Sequence, residues 1–326
     1  MVSIEKCLRR FVNSLPQPSA GDFLRYRKTL LRKRGSQNIR KRALLSRPYW
    51  LLLPVWLTAA YSRNSKQHKR NNLFLNDVLW GQHCLFLFVR IQDDIFDRHV
   101  ESSSLIFTSD QFLLEAQKIF SKYFHHSSAF WNFYRKFLKD TTLAIPLVDN
   151  FQRSSNSHAK KLLTGYAQIN AIFKIGSAAV CLYFGRMKDF SYIEKFADEM
   201  AIASQILDDL QDINEDLKRK RFNYVTSIIM KGKAKGRMSR DKISELVVKK
   251  LMFTSVGDEL LVDVRRRFNH ASDYLHIMGI AEAKRVFKAY DKALQQMQIS
   301  FHRKKVQFIF SKALSRKTIS SIEQMT

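Results

Sequence analysis

The sequence contains little proline, glycine, cysteine or acid. Five Pro and ten Gly in 326 residues are too few for the many tight turns of an all-β fold, and their scarcity favours long helices. The three cysteines lie far apart, and no C-x-x-C spacing occurs. Neither a zinc site nor a disulfide framework is therefore predicted. We expect a reducing, cytoplasmic compartment.

Long hydrophobic runs are also missing. The N-terminal residues mix polar and apolar side chains, without the continuous apolar core of a secretory signal. The most apolar stretch, Tyr49–Tyr61, contains Pro54 and falls short of the roughly 20 residues that span a bilayer. We predict a buried helix there.

Basic residues outnumber acids, with 56 Lys and Arg against 29 Asp and Glu and a formal net charge of +27. Such an excess arises on exposed helix faces, or it serves an anionic substrate, a membrane surface or nucleic acid. No zinc finger, RNA-binding signature or basic-aromatic alternation is present, so nucleic acid is not expected as a partner. Peripheral membrane contact stays open as an alternative.

Apolar residues recur at helical spacing, and neither a strand pattern nor an internal repeat is found. We predict an all-α fold in which one helical domain covers 1–326, with 1–42 as a basic N-terminal extension and 231–240 as a basic flexible loop. The expected helices are 49–61, 73–92, 110–123 with Asp110 as N-cap, 129–147, 161–183 interrupted around Gly176, 192–215, 241–252, 256–276 and 280–310, with a polar turn or N-cap region at 152–158.

Two acidic clusters follow apolar helical runs: D-D-I-F-D from Asp93 to Asp97, and D-D-L-Q-D from Asp208 to Asp212, which continues to Asp216. Carboxylates four apart share a helix face and repel one another. Near the C-terminal end of a helix, the macrodipole adds to the cost. Oxygen ligands without His or Cys suit Mg²⁺, or Mn²⁺ as an alternative, and Mg²⁺ often binds carboxylates together with a substrate phosphate. A solvated acidic turn is the competing interpretation.

The pattern resembles the class I isoprenoid synthase superfamily. The first cluster resembles its first Asp-rich motif. The second, Q-I-L-D-D-L-Q-D from Gln205, is similar to the F-Q-x-x-D-D-x-x-D motif of polyprenyl synthases, with Ser204 in place of Phe. K-I-G at 174–176 resembles the family's K-T-G/A element, the basic run at 218–221 matches its basic residues, and S-R-P at 46–48 resembles part of G-K-x-x-R-P.

The resemblance implies a helical bundle with a central cavity, both acidic clusters facing each other at its mouth, three Mg²⁺ ions and a prenyl diphosphate substrate. It also allows a homodimer. The implied catalytic residues are Asp93, Asp94, Asp97, Asp208, Asp209 and Asp212. The implied metal ligands are Asp93, Asp94, Asp97, Asp208, Asp212 and Asp216. The implied diphosphate contacts are Lys174, Gln205, Lys220, Arg221 and Arg47, and the implied cavity-lining residues are Phe86, Phe88, Phe173, Gly176 and Tyr183. Gly176 either opens a helix break or permits close packing.

The chain departs from the prenyl elongases in two places. It has R-H-V-E at 98–101 where those enzymes carry Arg-Arg-Gly, and it lacks the Gly-Lys of the N-terminal element. These departures favour a terpene synthase or cyclase that acts on one prenyl diphosphate. The Gln205 motif and Lys174 favour the alternative, a trans-prenyltransferase that also uses isopentenyl diphosphate. A third alternative is a non-catalytic homologue that binds an anionic partner or a membrane.

Overall fold

A computed structural model describes residues 4–36, 48–63, 66–96, 104–153, 159–219, 221–231 and 240–323. Those segments contain helices and no strand, which confirms the all-α prediction. Their α-helices are α1 (Ile4–Ser14), α2 (Gln17–Ser36), α3 (Tyr49–Tyr61), α4 (His68–Phe96), α5 (Ser104–Ser121), α6 (Phe130–Arg153), α7 (Ala159–Ile169), α8 (Ile175–Tyr183), α9 (Phe190–Gln211), α10 (Ile213–Lys218), α11 (Tyr224–Ile229), α12 (Arg240–Phe253), α13 (Val256–Ile277) and α14 (Lys284–Glu323).

The chain divides into two compact units. Unit 1 comprises Met1–Ile145, Gln168–Asp198 and Ala271–Lys284, and unit 2 comprises Pro146–Ala167, Glu199–His270 and Arg285–Thr326. None of the helices in the described ranges is both long enough and apolar enough to cross a bilayer.

Helix α4 forms the centre of unit 1, where it packs against α5, α3 and α8. Its fully buried side chains include Phe74, Val78, Leu85 and Ile91, whose spacing places them on neighbouring faces of the helix. Each buried aliphatic or aromatic side chain contributes about 1.5–3 kcal/mol relative to exposure. The first acidic cluster is therefore attached to the best-packed helix of its unit.

Residues of α13 and α14 pack together in the core of unit 2. Phe268 stacks on Tyr290 with a centroid distance of 5.4 Å, and Val264 and Leu294 are buried. A Cβ on Gly257 would lie 2.3 Å from the Phe301 ring, so the glycine permits close approach of the two helices.

Helix α3 has the predicted bounds, but α5 begins at Ser104, upstream of Asp110. The prediction of Asp110 as an N-cap is wrong, since Asp110 lies inside the helix. Leu105 and Phe112 are both buried and are two turns apart, so burial extends the helical face upstream of the polar cap candidate.

The predicted helix over 161–183 ends at Ile169 and resumes at Ile175 after a 3₁₀ turn, Ala171–Lys174. Thr141 of α6 holds this break. Its hydroxyl donates to the Gln168 carbonyl and accepts from the Ile172 N–H, at 3.3 and 3.0 Å. The interruption thus precedes Gly176 instead of falling on it.

Two other predicted connections lie mostly outside the described residues. Of the polar turn at 152–158, Gln152 and Arg153 belong to α6, and 154–158 are not described. Of the basic loop at 231–240, Lys231 is in a turn, Arg240 begins α12, and 232–239 are not described.

Candidate functional site

Asp93 and Asp94 of the first acidic cluster lie in the last turn of α4, in unit 1, as predicted. Asp94 is buried, with 2% of its surface exposed. One carboxylate oxygen accepts from Arg90 Nη2 at 2.8 Å and the other from the Tyr26 hydroxyl at 2.6 Å. The Asp93 side chain is 41% exposed and lies 3.5 Å from Arg90 Nη1. Asp97 lies outside the described residues.

Arg90 is the counter-charge of this cluster. Burial lowers the pKa of Arg90, but the adjacent Asp94 and Asp93 raise it by more, so its net pKa is raised. Burial and the Asp94 carboxylate also raise the pKa of the Tyr26 hydroxyl, which keeps Tyr26 a proton donor. The repulsion expected between Asp93 and Asp94 is thus partly offset inside the protein.

Asp208 and Asp209 of the second cluster lie in the last turn of α9, in unit 2. Asp209 is buried, with 3% of its surface exposed. Its carboxylate accepts from Gln205 Nε2 at 3.1 Å, the Tyr166 hydroxyl at 2.8 Å and the Tyr224 N–H at 2.9 Å. Burial raises the pKa of Asp209 to about 7, although all three hydrogen bonds oppose the shift. Unlike Asp94, Asp209 is held mainly by neutral donors.

Asp212 ends the helix that was predicted to run on to Glu215. Helix α9 stops at Gln211, and Asp212 precedes α10. The backbone bonds Asp212 N to Asp208 O (2.8 Å) and Asp216 N to Asp212 O (2.9 Å) retain helical spacing. The three carboxylates therefore keep the predicted four-residue repeat, although two helices supply it.

Asn223 explains the interruption at Asp212. Its Nδ2 donates to the Asp209 carbonyl at 3.0 Å and to Asp216 Oδ2 at 2.7 Å. An uninterrupted helix would direct the residue 213 N–H to that carbonyl. Asn223 Oδ1 accepts from the Thr226 N–H at 3.0 Å and so caps α11. Burial raises the pKa of Asp216, a shift that Asn223 opposes and Asp212 reinforces.

The two Asp-Asp pairs share one arrangement. In each, the second aspartate is buried and accepts a tyrosine hydroxyl, Tyr26 for Asp94 and Tyr166 for Asp209. The first aspartate, Asp93 or Asp208, is only partly buried. In each pair, therefore, the second aspartate is anchored inside the protein and the first lies nearer to solvent.

The predicted diphosphate contacts that are described each have a carboxylate partner. Lys174 Nζ lies 2.6 Å from Asp198, with 8% of the lysine side chain exposed. Arg221 Nη2 lies 3.4 Å from Asp149, and that side chain is 18% exposed. Gln205 donates to Asp209. Arg47 and Lys220 lie outside the described residues.

Two of the predicted cavity residues meet around Trp50 of α3. Trp50 stacks against Phe86 and Phe173, each at a centroid distance of 5.0 Å. Tyr183 belongs to a different aromatic group, where it stacks on Phe74 at 3.8 Å. Phe88 is buried in α4.

Gly176 packs against Gln82 of α4. Its N–H donates to Gln82 Oε1 at 2.7 Å, and a Cβ on residue 176 would lie 2.7 Å from the same atom. Gln82 Nε2 also donates to the Ile172 carbonyl at 3.4 Å. Close packing, one of the two interpretations of this glycine, is therefore the one that the geometry bears out.

The donors suit Mg²⁺ in type but do not form a complete site. Among the residues that the structure describes, no three His, Cys, Asp or Glu are grouped so as to hold a metal. Mg²⁺ commonly takes one or two carboxylates, with water and phosphate filling the other positions. One or two carboxylates are available in each unit: Asp93 in unit 1, and Asp208 and Asp212 in unit 2.

Sequence reasoning missed the residues that hold both clusters. Arg90 was detectable, because it precedes Asp94 by four residues on a helix. Asn223 was also detectable as an N-cap before Thr226. Tyr26 and Tyr166 lie 68 and 43 residues from their aspartates, and no local signal marks them.

No protein-family model matches the chain, and a search of curated proteins found no significant match.

Proposed function

We propose that the chain is a Mg²⁺-dependent enzyme of the class I isoprenoid synthase type, which ionises one allylic prenyl diphosphate and releases diphosphate. The observation that supports this most is the shared arrangement of the two Asp-Asp pairs. In each, a tyrosine-bonded buried aspartate fixes the end of an apolar helix, and a less buried aspartate lies next to it.

The chain's own residues would divide the work as follows. Asp94 and Asp209 position the helix ends, while Asp93, Asp208 and Asp212 supply oxygen ligands. Bound Mg²⁺ would neutralise the charge that develops on the leaving diphosphate. Lys174 and Arg221 now pair with Asp198 and Asp149, so contact with diphosphate requires them to exchange a carboxylate for a phosphate oxygen.

The stacked rings of Trp50, Phe86 and Phe173 suit the chemistry that follows ionisation. An allylic cation is attracted to aromatic faces and must be kept from water. The group lies in unit 1, the unit of Asp93 and Lys174.

The second candidate is a trans-prenyltransferase. Gln205 favours it, because this residue of the polyprenyl-synthase-like motif donates to the motif's own Asp209. The missing Arg-Arg-Gly favours the one-substrate reaction.

The test is release of inorganic diphosphate from prenyl diphosphates of several chain lengths, with and without Mg²⁺ and with and without isopentenyl diphosphate. We expect Mg²⁺-dependent release from a single prenyl diphosphate and a hydrocarbon or alcohol product. A longer diphosphate that forms only with both substrates identifies the prenyltransferase. Absence of release with every substrate contradicts both candidates.

A further inference from the structure

Helix α14 uses one side to pack within unit 2. A Cβ on Gly257 of α13 would collide with the Phe301 ring, and Phe308 makes an edge contact with Phe253 of α12 at 5.7 Å. Lys305 Nζ lies 2.7 Å from Asp258. These contacts fix which side of α14 faces solvent.

The opposite side carries a line of basic and aliphatic residues. Lys288, Lys292, Ile299, Arg303 and Val306 are all exposed, and their spacings of four, seven, four and three residues place them on one helix face. Ile299 and Val306 are 53% and 51% exposed. At 1.5 Å per residue, this basic-aliphatic line is about 27 Å long.

The charges of the line are available to a partner. Lys288, Lys292 and Arg303 make no ion pair with any residue that the structure describes. Between Lys284 and Ser311 the only acid in the sequence is Asp291, and it pairs with Arg265 of α13 at 3.2 Å.

Another exposed aliphatic residue of unit 2 is Val262 of α13, with 57% of its surface exposed. It lies one turn from both Asp258 and Arg265, which contact His302 and Gln298 of α14. On α14 itself, Ile299 and Val306 share their exposed helix face with the unpaired cations of the line.

We propose that the basic-aliphatic line of α14 docks the protein on an anionic membrane surface. Cations attract acidic headgroups, while aliphatic side chains enter the boundary between headgroups and acyl chains. A second copy is disfavoured as occupant, because both chains carry a formal charge of +27 and the line has no acid to pair with. Nucleic acid would not need the exposed aliphatic residues. The inference is independent of the proposed catalytic function.

The experiment is flotation of the full chain with vesicles of phosphatidylcholine alone and of phosphatidylcholine mixed with phosphatidylserine. We expect binding only to the mixed vesicles, weakening with salt. Lys288→Gln/Lys292→Gln/Arg303→Gln should lower the partition coefficient roughly fivefold per charge, since each is worth about 1 kcal/mol near an anionic surface. Ile299→Ser/Val306→Ser should lower it about tenfold or more.

Matched variants separate this surface from general charge attraction. Lys66→Gln/Lys69→Gln/Lys139→Gln removes three exposed charges elsewhere, and Phe107→Ser/Leu114→Ser removes two exposed apolar residues at the same seven-residue spacing on α5. Both should float like the unaltered chain, and circular dichroism should show equal helix content throughout.

Three outcomes overturn the proposal. One is equal loss of binding in the α14 variants and their matched controls. Another is binding to duplex or single-stranded nucleic acid without binding to vesicles. The third is a concentration-dependent dimer that Ile299→Ser/Val306→Ser abolishes while vesicle binding is absent.

Discussion

The two acidic clusters have the same D-D-x-x-D pattern but different electrostatic surroundings. In unit 1, Arg90 neutralises Asp94 directly, at 2.8 Å. In unit 2, Asp209 is surrounded by the Gln205 amide, the Tyr166 hydroxyl and a backbone N–H, and burial raises its pKa to about 7. A repeated carboxylate pattern therefore does not fix how its charge is compensated.

The two clusters show two ways to compensate a buried carboxylate. An opposite charge neutralises it in the first cluster, and neutral hydrogen-bond donors solvate it in the second. A guanidinium supplies an opposite charge to a buried carboxylate, whereas neutral donors only partly replace the water that the carboxylate loses. We expect the first cluster to respond mainly to salt and the second mainly to pH.

The largest effect should come from the less buried aspartates. Asp93→Ala and Asp208→Ala should each lower Mg²⁺-dependent diphosphate release by about a thousandfold, because transition-state charge stabilisation is lost. Both side chains are partly exposed, so thermal unfolding should change little. Asp110→Ala, an exposed aspartate inside α5, is the control. Normal release in either cluster variant would remove that cluster from the proposed site.

Next is the pH dependence of stability through Asp209. Its folded pKa of about 7 exceeds the ordinary 3.8, so the folded state holds an extra proton between these values. Stability from this group is complete below about pH 4 and is lost as the pH rises through 7, by roughly 4 kcal/mol. Urea unfolding of the wild type and Asp209→Asn at several pH values should show a difference that widens across this window. Parallel curves would mean that Asp209 titrates normally.

Removing the principal donor of each cluster should be less costly. Asn223→Ala should destabilise the protein by about 3 kcal/mol, since it removes a helix cap and a bond to a charged group. Arg90→Met should cost about 2 kcal/mol, because Asp94 loses its guanidinium partner and that guanidinium is partly exposed. High salt should reduce the destabilisation caused by Arg90→Met but not that caused by Asn223→Ala. Denaturant unfolding at low and high salt measures both. Asn223→Ser, which keeps a capping oxygen, should recover about 1 kcal/mol.

The smallest effects should come from the two tyrosines. Tyr26→Phe and Tyr166→Phe should each cost about 1.5 kcal/mol, the typical loss of a hydrogen bond to a charged group. The Tyr166→Phe cost should shrink below the Asp209 pKa, because a protonated carboxyl is a weaker acceptor. A Tyr166→Phe cost that is equal at pH 5 and pH 8 would show that this bond does not depend on the Asp209 proton.

Local patterns predicted much of the secondary structure. The bounds of α3 followed from one apolar run, and both clusters were placed at helix ends by the apolar residues before them. The start of α5 and the break at Asp212 were missed, and the break at 170–174 was placed a few residues late, around Gly176. The reason is that Leu105, Thr141 and Asn223 act through burial or contacts with other segments.

The sequence by itself determined that the chain is helical and where its acids are concentrated, since periodicity, scarce Pro and Gly and charge spacing are local properties. Only the tertiary structure decided which aspartate of each pair is buried and what compensates it. Tyr26 and Tyr166 reach Asp94 and Asp209 across long sequence separations. Desolvation depends on every segment that packs around a carboxylate, and no stretch of the chain encodes it alone.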